Sequence, residues 1–93
     1  MHVAMLQMRL LLPSRTLKEK RAIVKSVLSR SRNRFNVACT ESDLHDQPAD
    51  AVLGFVTVAP SVARARQILQ EVEYWLVSER PDLEISDLQV EDL

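Results

Sequence analysis

The chain has 93 residues, 46% of them apolar, a formal charge of −1 at pH 7, one glycine and one cysteine. That is enough apolar material for the core of one small domain, residues 1–93. It excludes the glycine-rich phosphate loops of dinucleotide-binding and kinase-like folds, and a lone cysteine excludes an internal disulfide. No apolar run approaches the roughly 20 residues of a membrane helix. The opening Met1-His2-Val3-Ala4 has no basic leader, so a cytoplasmic protein without a signal peptide is expected.

Residues 3–12 predict the first strand. Ala4, Leu6, Met8, Leu10 and Leu12 make one apolar face, while Val3, Met5, Gln7, Arg9 and Leu11 make a mixed one. Pro13 ends the strand. Thr16-Leu17-Lys18-Glu19 then has the Thr-x-x-Glu pattern of a capping box, which predicts a helix from about Leu17 to Asn33. Leu17, Val24, Val27 and Leu28 share its apolar face, with Ile23 at the border and Lys20 near enough to snorkel. Phe35 to Thr40 alternates as a second strand, and Glu41 to Asp50 reads as an acidic loop. Ala51 to Ala59 is almost continuously apolar, as in a strand at the centre of a sheet. Pro60-Ser61 signals a second helix with Ser61 as N-cap, and Ala65, Ile68, Leu69, Val72 and Leu76 form its stripe until Pro81 ends it. Leu83 to Val90 is strand-like, but Ile85 and Leu88 are out of phase, which predicts a bulge or an early end of the strand. The order β-α-β-β-α-β predicts an α+β, ferredoxin-like fold: a four-stranded antiparallel sheet with both helices on one face.

The small net charge hides a strong asymmetry. Residues 1–40 carry nine of the twelve Lys and Arg and a single acid, Glu19, a formal +8; residues 41–93 carry three bases against twelve acids, a formal −9. Two explanations compete: a footprint for a polyanion, or two halves of one domain that attract each other. At about 100° per residue, Lys18, Arg21, Lys25 and Arg32 fall on one flank of the first helix, with Arg15 at its head; Arg30 and Arg34 lie across the apolar face.

The strand end Leu11-Leu12-Pro13 is followed by Ser14-Arg15-Thr16-Leu17-Lys18-Glu19-Lys20-Arg21. With Arg32-Asn33-Arg34-Phe35-Asn36-Val37 and Ala51-Val52-Leu53-Gly54, this pattern resembles the YlxP-like family of small bacterial proteins of unknown function. The resemblance implies a ferredoxin-like fold and a cytoplasmic bacterial protein. Relatives often encoded beside translation-initiation and ribosome-maturation genes point to an RNA or ribosomal role. It supplies no catalytic residues. Around Asp46-Gln47-Pro48-Ala49-Asp50 the chain departs from the family, which has an aromatic residue and a Gln before the third strand.

On these grounds Arg9, Arg15, Lys18, Arg21, Lys25 and Arg32 are the expected contacts to an RNA or a ribosomal particle, made mainly through phosphates. The aromatic signature of an RRM is absent, with only Phe55 placed on the open sheet face. That face, read as Val3, Met5, Leu11, Leu53 and Phe55, is apolar enough to predict a homodimer through it. No metal site or cofactor is expected, because Cys39, Glu41, Asp43, His45 and Asp46 match no zinc spacing. Cys39 is expected in the core rather than as a nucleophile. Acylphosphatases share this size and topology, but the turn Pro13-Ser14-Arg15-Thr16 lacks their glycine, so an enzyme is not expected. The rival reading is an oligomeric or small-ligand-sensing module like the ACT domains, with solvated charges and no nucleic-acid role.

Overall fold

The computed structural model describes residues 1–93. It contains β1 (His2–Leu11), α1 (Leu17–Arg34), β2 (Ala38–Asp43), β3 (Asp50–Ala59), α2 (Val62–Glu79) and β4 (Glu84–Asp92). The strands form one sheet in the order β2-β3-β1-β4, with every neighbouring pair antiparallel. This is the ferredoxin-like α+β arrangement. The continuously apolar β3 is central, as its sequence predicts.

Both helices are capped as their sequences require. Thr16 Oγ1 accepts a hydrogen bond from the Glu19 amide at 3.1 Å and donates to Glu19 Oε1 at 3.2 Å; Ser61 Oγ accepts from the Arg64 amide at 3.2 Å. One face of the sheet and the inner faces of α1 and α2 close a single core. It contains Leu6, Met8 and Leu10 of β1, Leu53 and Phe55 of β3, Val24, Val27 and Leu28 of α1, and Ile68, Leu69, Val72 and Leu76 of α2. Cys39 joins this core; burial holds its thiol above the ordinary range, against the pull of Arg32. Of the two alternatives for the last strand, the structure shows the bulge: the β1–β4 register slips between Arg9 and Leu10, and β4 runs on to Asp92.

Four expectations are corrected. The second strand begins at Ala38, because α1 runs on through Arg34 and Phe35 is its C-cap, its amide donating to Ser31 O at 2.9 Å. Glu41 and Asp43 consequently belong to β2 rather than to the following loop. Leu53 and Phe55 do not face outward: their cross-strand partners are Met8 and Leu6, so they share the core side and are fully buried. The open face instead shows Val52, Gly54, Val56 and Val58 beside Val3, Met5, Gln7, Arg9 and Leu11. Finally, Lys20 does not snorkel; it is 1% exposed.

Lys20 joins α1 to the far end of the sheet. Its ammonium donates to Leu44 O at 2.6 Å and stands 2.9 Å from Glu41 Oε2, although that oxygen accepts no well-aligned hydrogen bond. Leu44 adopts φ of 60°, a left-handed conformation that strains a branched residue. Lys20 at its carbonyl and Asp43 Oδ1, which accepts from its amide at 2.8 Å, fix that turn. Ser14 adds a second tie, donating to Pro48 O at 2.6 Å.

At the other end, Arg66 and His2 both bind the Asp92 carboxylate. The Arg66 hydrogen bond, and then that of His2, lower the Asp92 pKa from 3.8 to about 2. A carboxylate depressed in the folded state stabilises fully above its ordinary pKa, and that contribution is lost as pH falls toward the folded value. Asp92→Asn is therefore expected to lower the melting temperature at neutral pH, where the carboxylate contributes in full, and to flatten the loss of stability between about pH 4 and pH 2, so that thermal melts of variant and wild type converge toward pH 2.

Candidate nucleic-acid interface

The capping box fixes where α1 begins, and the apolar stripe fixes which side faces the sheet. Together they determine where its cations point. Arg15, Lys18, Arg21, Lys25 and Arg32 are all exposed. From Lys18 to Arg32 the flank extends over about 21 Å of helix, at 1.5 Å per residue. Their hydrogen-bond and ion-pair partners separate the two explanations of the charge asymmetry. Of the cations in the basic half, Arg9 pairs with Asp50 at 3.2 Å, Lys20 with Glu41 at 2.9 Å and Arg30 with Glu79 at 3.1 Å. Arg64, Arg66 and Arg80 find acids within their own half. Arg15, Lys18, Arg21, Lys25 and Arg32 pair with no carboxylate. Attraction between the halves therefore leaves this flank unneutralised.

The expected set does not all converge. Arg9 lies on the open sheet face, where it is bound to Asp50 through Nε and Nη2 at 3.4 and 3.2 Å. The helices cover the opposite face, so Arg9 does not extend the α1 flank. Arg32 stays on the flank but is tethered, its Nη2 donating to Cys39 O at 2.7 Å. That bond also caps a carbonyl of the edge strand β2, and His45 Nε2, 3.2 Å from Glu41 O, covers another. Arg30 and Arg34 belong to a separate cluster, Arg30 5.6 Å over the ring of Trp75 and Arg34 5.8 Å over that of Phe35.

Between the flank and the edge strand lies an open groove of about 510 Å³. Arg21, Lys25 and Arg32 line it from α1 together with Val24, Leu28 and Ser29; Thr40, Glu41 and His45 line it from β2 and the turn that follows. The Lys20–Glu41 pair at its edge is neutral as a unit, leaving three unneutralised arginine and lysine side chains around the opening. The pattern of the sequence pointed to the cations but not to Thr40, His45 or the groove itself, because the two walls are far apart along the chain and meet only through sheet pairing. No group of three His, Cys, Asp or Glu side chains converges as metal ligands would.

A family model described as a protein of unknown function, DUF503, matches residues 3–90. The chain belongs to the DUF503 family. Consistent with this, it is 37% identical over 57 residues to the uncharacterized protein YlxP of Bacillus subtilis (strain 168), a match covering 61% of this chain and 62% of that protein. The alignment thus spans less than two thirds of the relative's length. The DUF503 assignment agrees with the resemblance carried by the Ser14–Arg21 and Arg32–Val37 segments. No helix of this DUF503 chain is long and apolar enough to cross a membrane.

Proposed function

We propose that the protein is a non-enzymatic, cytoplasmic factor that binds RNA, as free RNA or within a ribosomal particle, through phosphates held along the α1 flank. The observation that carries this reading is the lack of any carboxylate partner for Arg15, Lys18, Arg21, Lys25 and Arg32, while Arg9, Lys20 and Arg30 are paired. Long cations on a rigid, capped helix follow a phosphate backbone without rearrangement and gain affinity by releasing its counterions. Such contacts position a ligand and read little sequence. The relatives' association with translation genes selects RNA among polyanions. The test is capture from lysate at low and high salt: ribosomal RNA or subunits are expected to co-purify at low salt and to be released at high salt. Failure to retain either at low salt rejects the reading.

A second reading concerns assembly, and the open sheet face favours it. Val3, Met5, Val56 and Val58 gather at one end of that face, Val58 44% exposed, with Glu91 beside Met5 on its β4 border; Arg9, Asp50, Asp87 and Glu84 gather at the other, around Leu11 and Val52. Gly54, at the centre, has an ordinary backbone; an added Cβ would meet nothing closer than Ser42 Cβ at 3.9 Å. Nothing inside the protein requires a glycine there, and a bare position in a strand suits the close approach of another surface. A homodimer about a two-fold axis through the valine end would bury the valines, leave Glu91 at the rim and carry Asp50, Glu84 and Asp87 apart. Wild-type protein is expected to sediment as a dimer at micromolar concentration and Val58→Glu as a monomer with an unchanged circular dichroism spectrum. A monomeric wild type removes both the sheet dimer and the ACT-like oligomer.

A further inference from the structure

A convex row of cations is sufficient to follow a duplex, whose bases are stacked inside and out of reach. The groove beside α1 is a different kind of feature. Its base is formed by Val24 and Leu28, nearly buried in the core, and its rim carries both charge and hydrogen-bonding groups. Its volume of about 510 Å³ lies in the range of small-ligand sites, about 300–1,000 Å³.

Resting on the RNA reading above, we propose that this groove holds one unstacked nucleotide of a single-stranded RNA, its base against Val24 and Leu28 and its flanking phosphates on Arg21 and Lys25. Three further observations support this. Arg32 is fixed by its 2.7 Å bond to Cys39 O, so a planar guanidinium is already positioned beside the groove, where a base can stack on it. On the opposite wall the exposed His45 offers a ring nitrogen to a base edge. Glu41 does not repel the phosphates, because its Oε2 is buried with Lys20 2.9 Å away. Single strands pay little to unstack a base, whereas duplexes must be opened first. The groove therefore selects for single-stranded RNA, while the flank alone would not.

The experiment compares a short oligoadenylate with its duplex with oligouridylate, by fluorescence anisotropy on the full chain. Wild type is expected to bind the single strand about tenfold more tightly, the effect of roughly one stacked base. Ser29→Leu fills the groove from its α1 wall without altering charge; it is expected to remove that preference and leave duplex binding and its salt dependence unchanged. Titration with adenosine monophosphate should shift the Val24 and Leu28 methyl and His45 imidazole NMR signals in wild type, a readout independent of the variant's folding. Equal affinity for both RNAs, or an unchanged preference in the filled variant together with unmoved signals, overturns the groove proposal. The RNA reading would survive that outcome as long as reversing Arg21 and Lys25 weakens both RNAs. Absence of binding to either RNA overturns both.

Discussion

Replacing Lys20 with methionine is expected to destabilise the protein by about 3–5 kcal/mol, the usual cost of removing one partner from a buried ion pair. Methionine preserves most of the side-chain volume, so the loss comes from the groups left behind. Glu41 would keep a carboxylate at a position only 17% exposed with no counter-charge, and Leu44 would keep a carbonyl that has lost its 2.6 Å donor. Leu44 also holds a strained left-handed backbone that Lys20 helps to fix. Against a total stability of about 5–15 kcal/mol for a domain, such a loss is severe. The double variant Lys20→Met/Glu41→Leu is expected to recover most of it, because it removes both charges. Urea unfolding of the two single variants and the double supplies the coupling energy. A Lys20→Met cost below about 1 kcal/mol, or strict additivity, contradicts the role assigned to the pair.

The second large effect concerns binding. Arg21→Glu/Lys25→Glu is expected to lower RNA affinity by two orders of magnitude or more at low salt. It is also expected to reduce the slope of log K against log salt by about 1.4, at about 0.7 for each single-strand phosphate that the variant no longer neutralises. Both side chains are exposed and neither has an ion-pair partner, so the melting temperature is expected to stay close to that of wild type. Arg9→Glu supplies the control. It makes half that change in net charge on the other face of the sheet, next to Asp50, and is expected to leave affinity and slope nearly unchanged. If Arg9→Glu weakens binding as much per charge, overall charge rather than the α1 flank governs the interaction.

The parts legible in the sequence are those governed by local rules. The Thr16 and Ser61 caps, the period of each helix stripe, the alternation of β1 and the slip near Ile85 each arise within a few residues, and each is present in the structure. The flank of Lys18, Arg21, Lys25 and Arg32 is legible for the same reason, since helical phase alone places it. Pattern misleads where two faces are both apolar. The one polar side chain in residues 51–59, Thr57, is itself buried on the core side, so it points the wrong way, and the phase of Leu53 and Phe55 is set only by pairing with Met8 and Leu6. The second strand begins late because the helix that precedes it keeps a favourable C-cap at Phe35, overriding a local alternation that fits a strand equally well.

Local sequence was enough to establish the order of elements, the fold they allow and the position of the basic flank on α1, because capping and periodicity are properties of neighbouring residues. Which charges are free is a matter of the folded arrangement. Arg9, Lys20 and Arg30 meet Asp50, Glu41 and Glu79 from distant parts of the chain, and no local pattern distinguishes them from Lys18, Arg21 and Lys25. The same long-range pairing closes the groove against β2 and His45. Whether a cation is neutralised or available depends on distance in space, and that is set when the two halves of the chain fold onto one sheet.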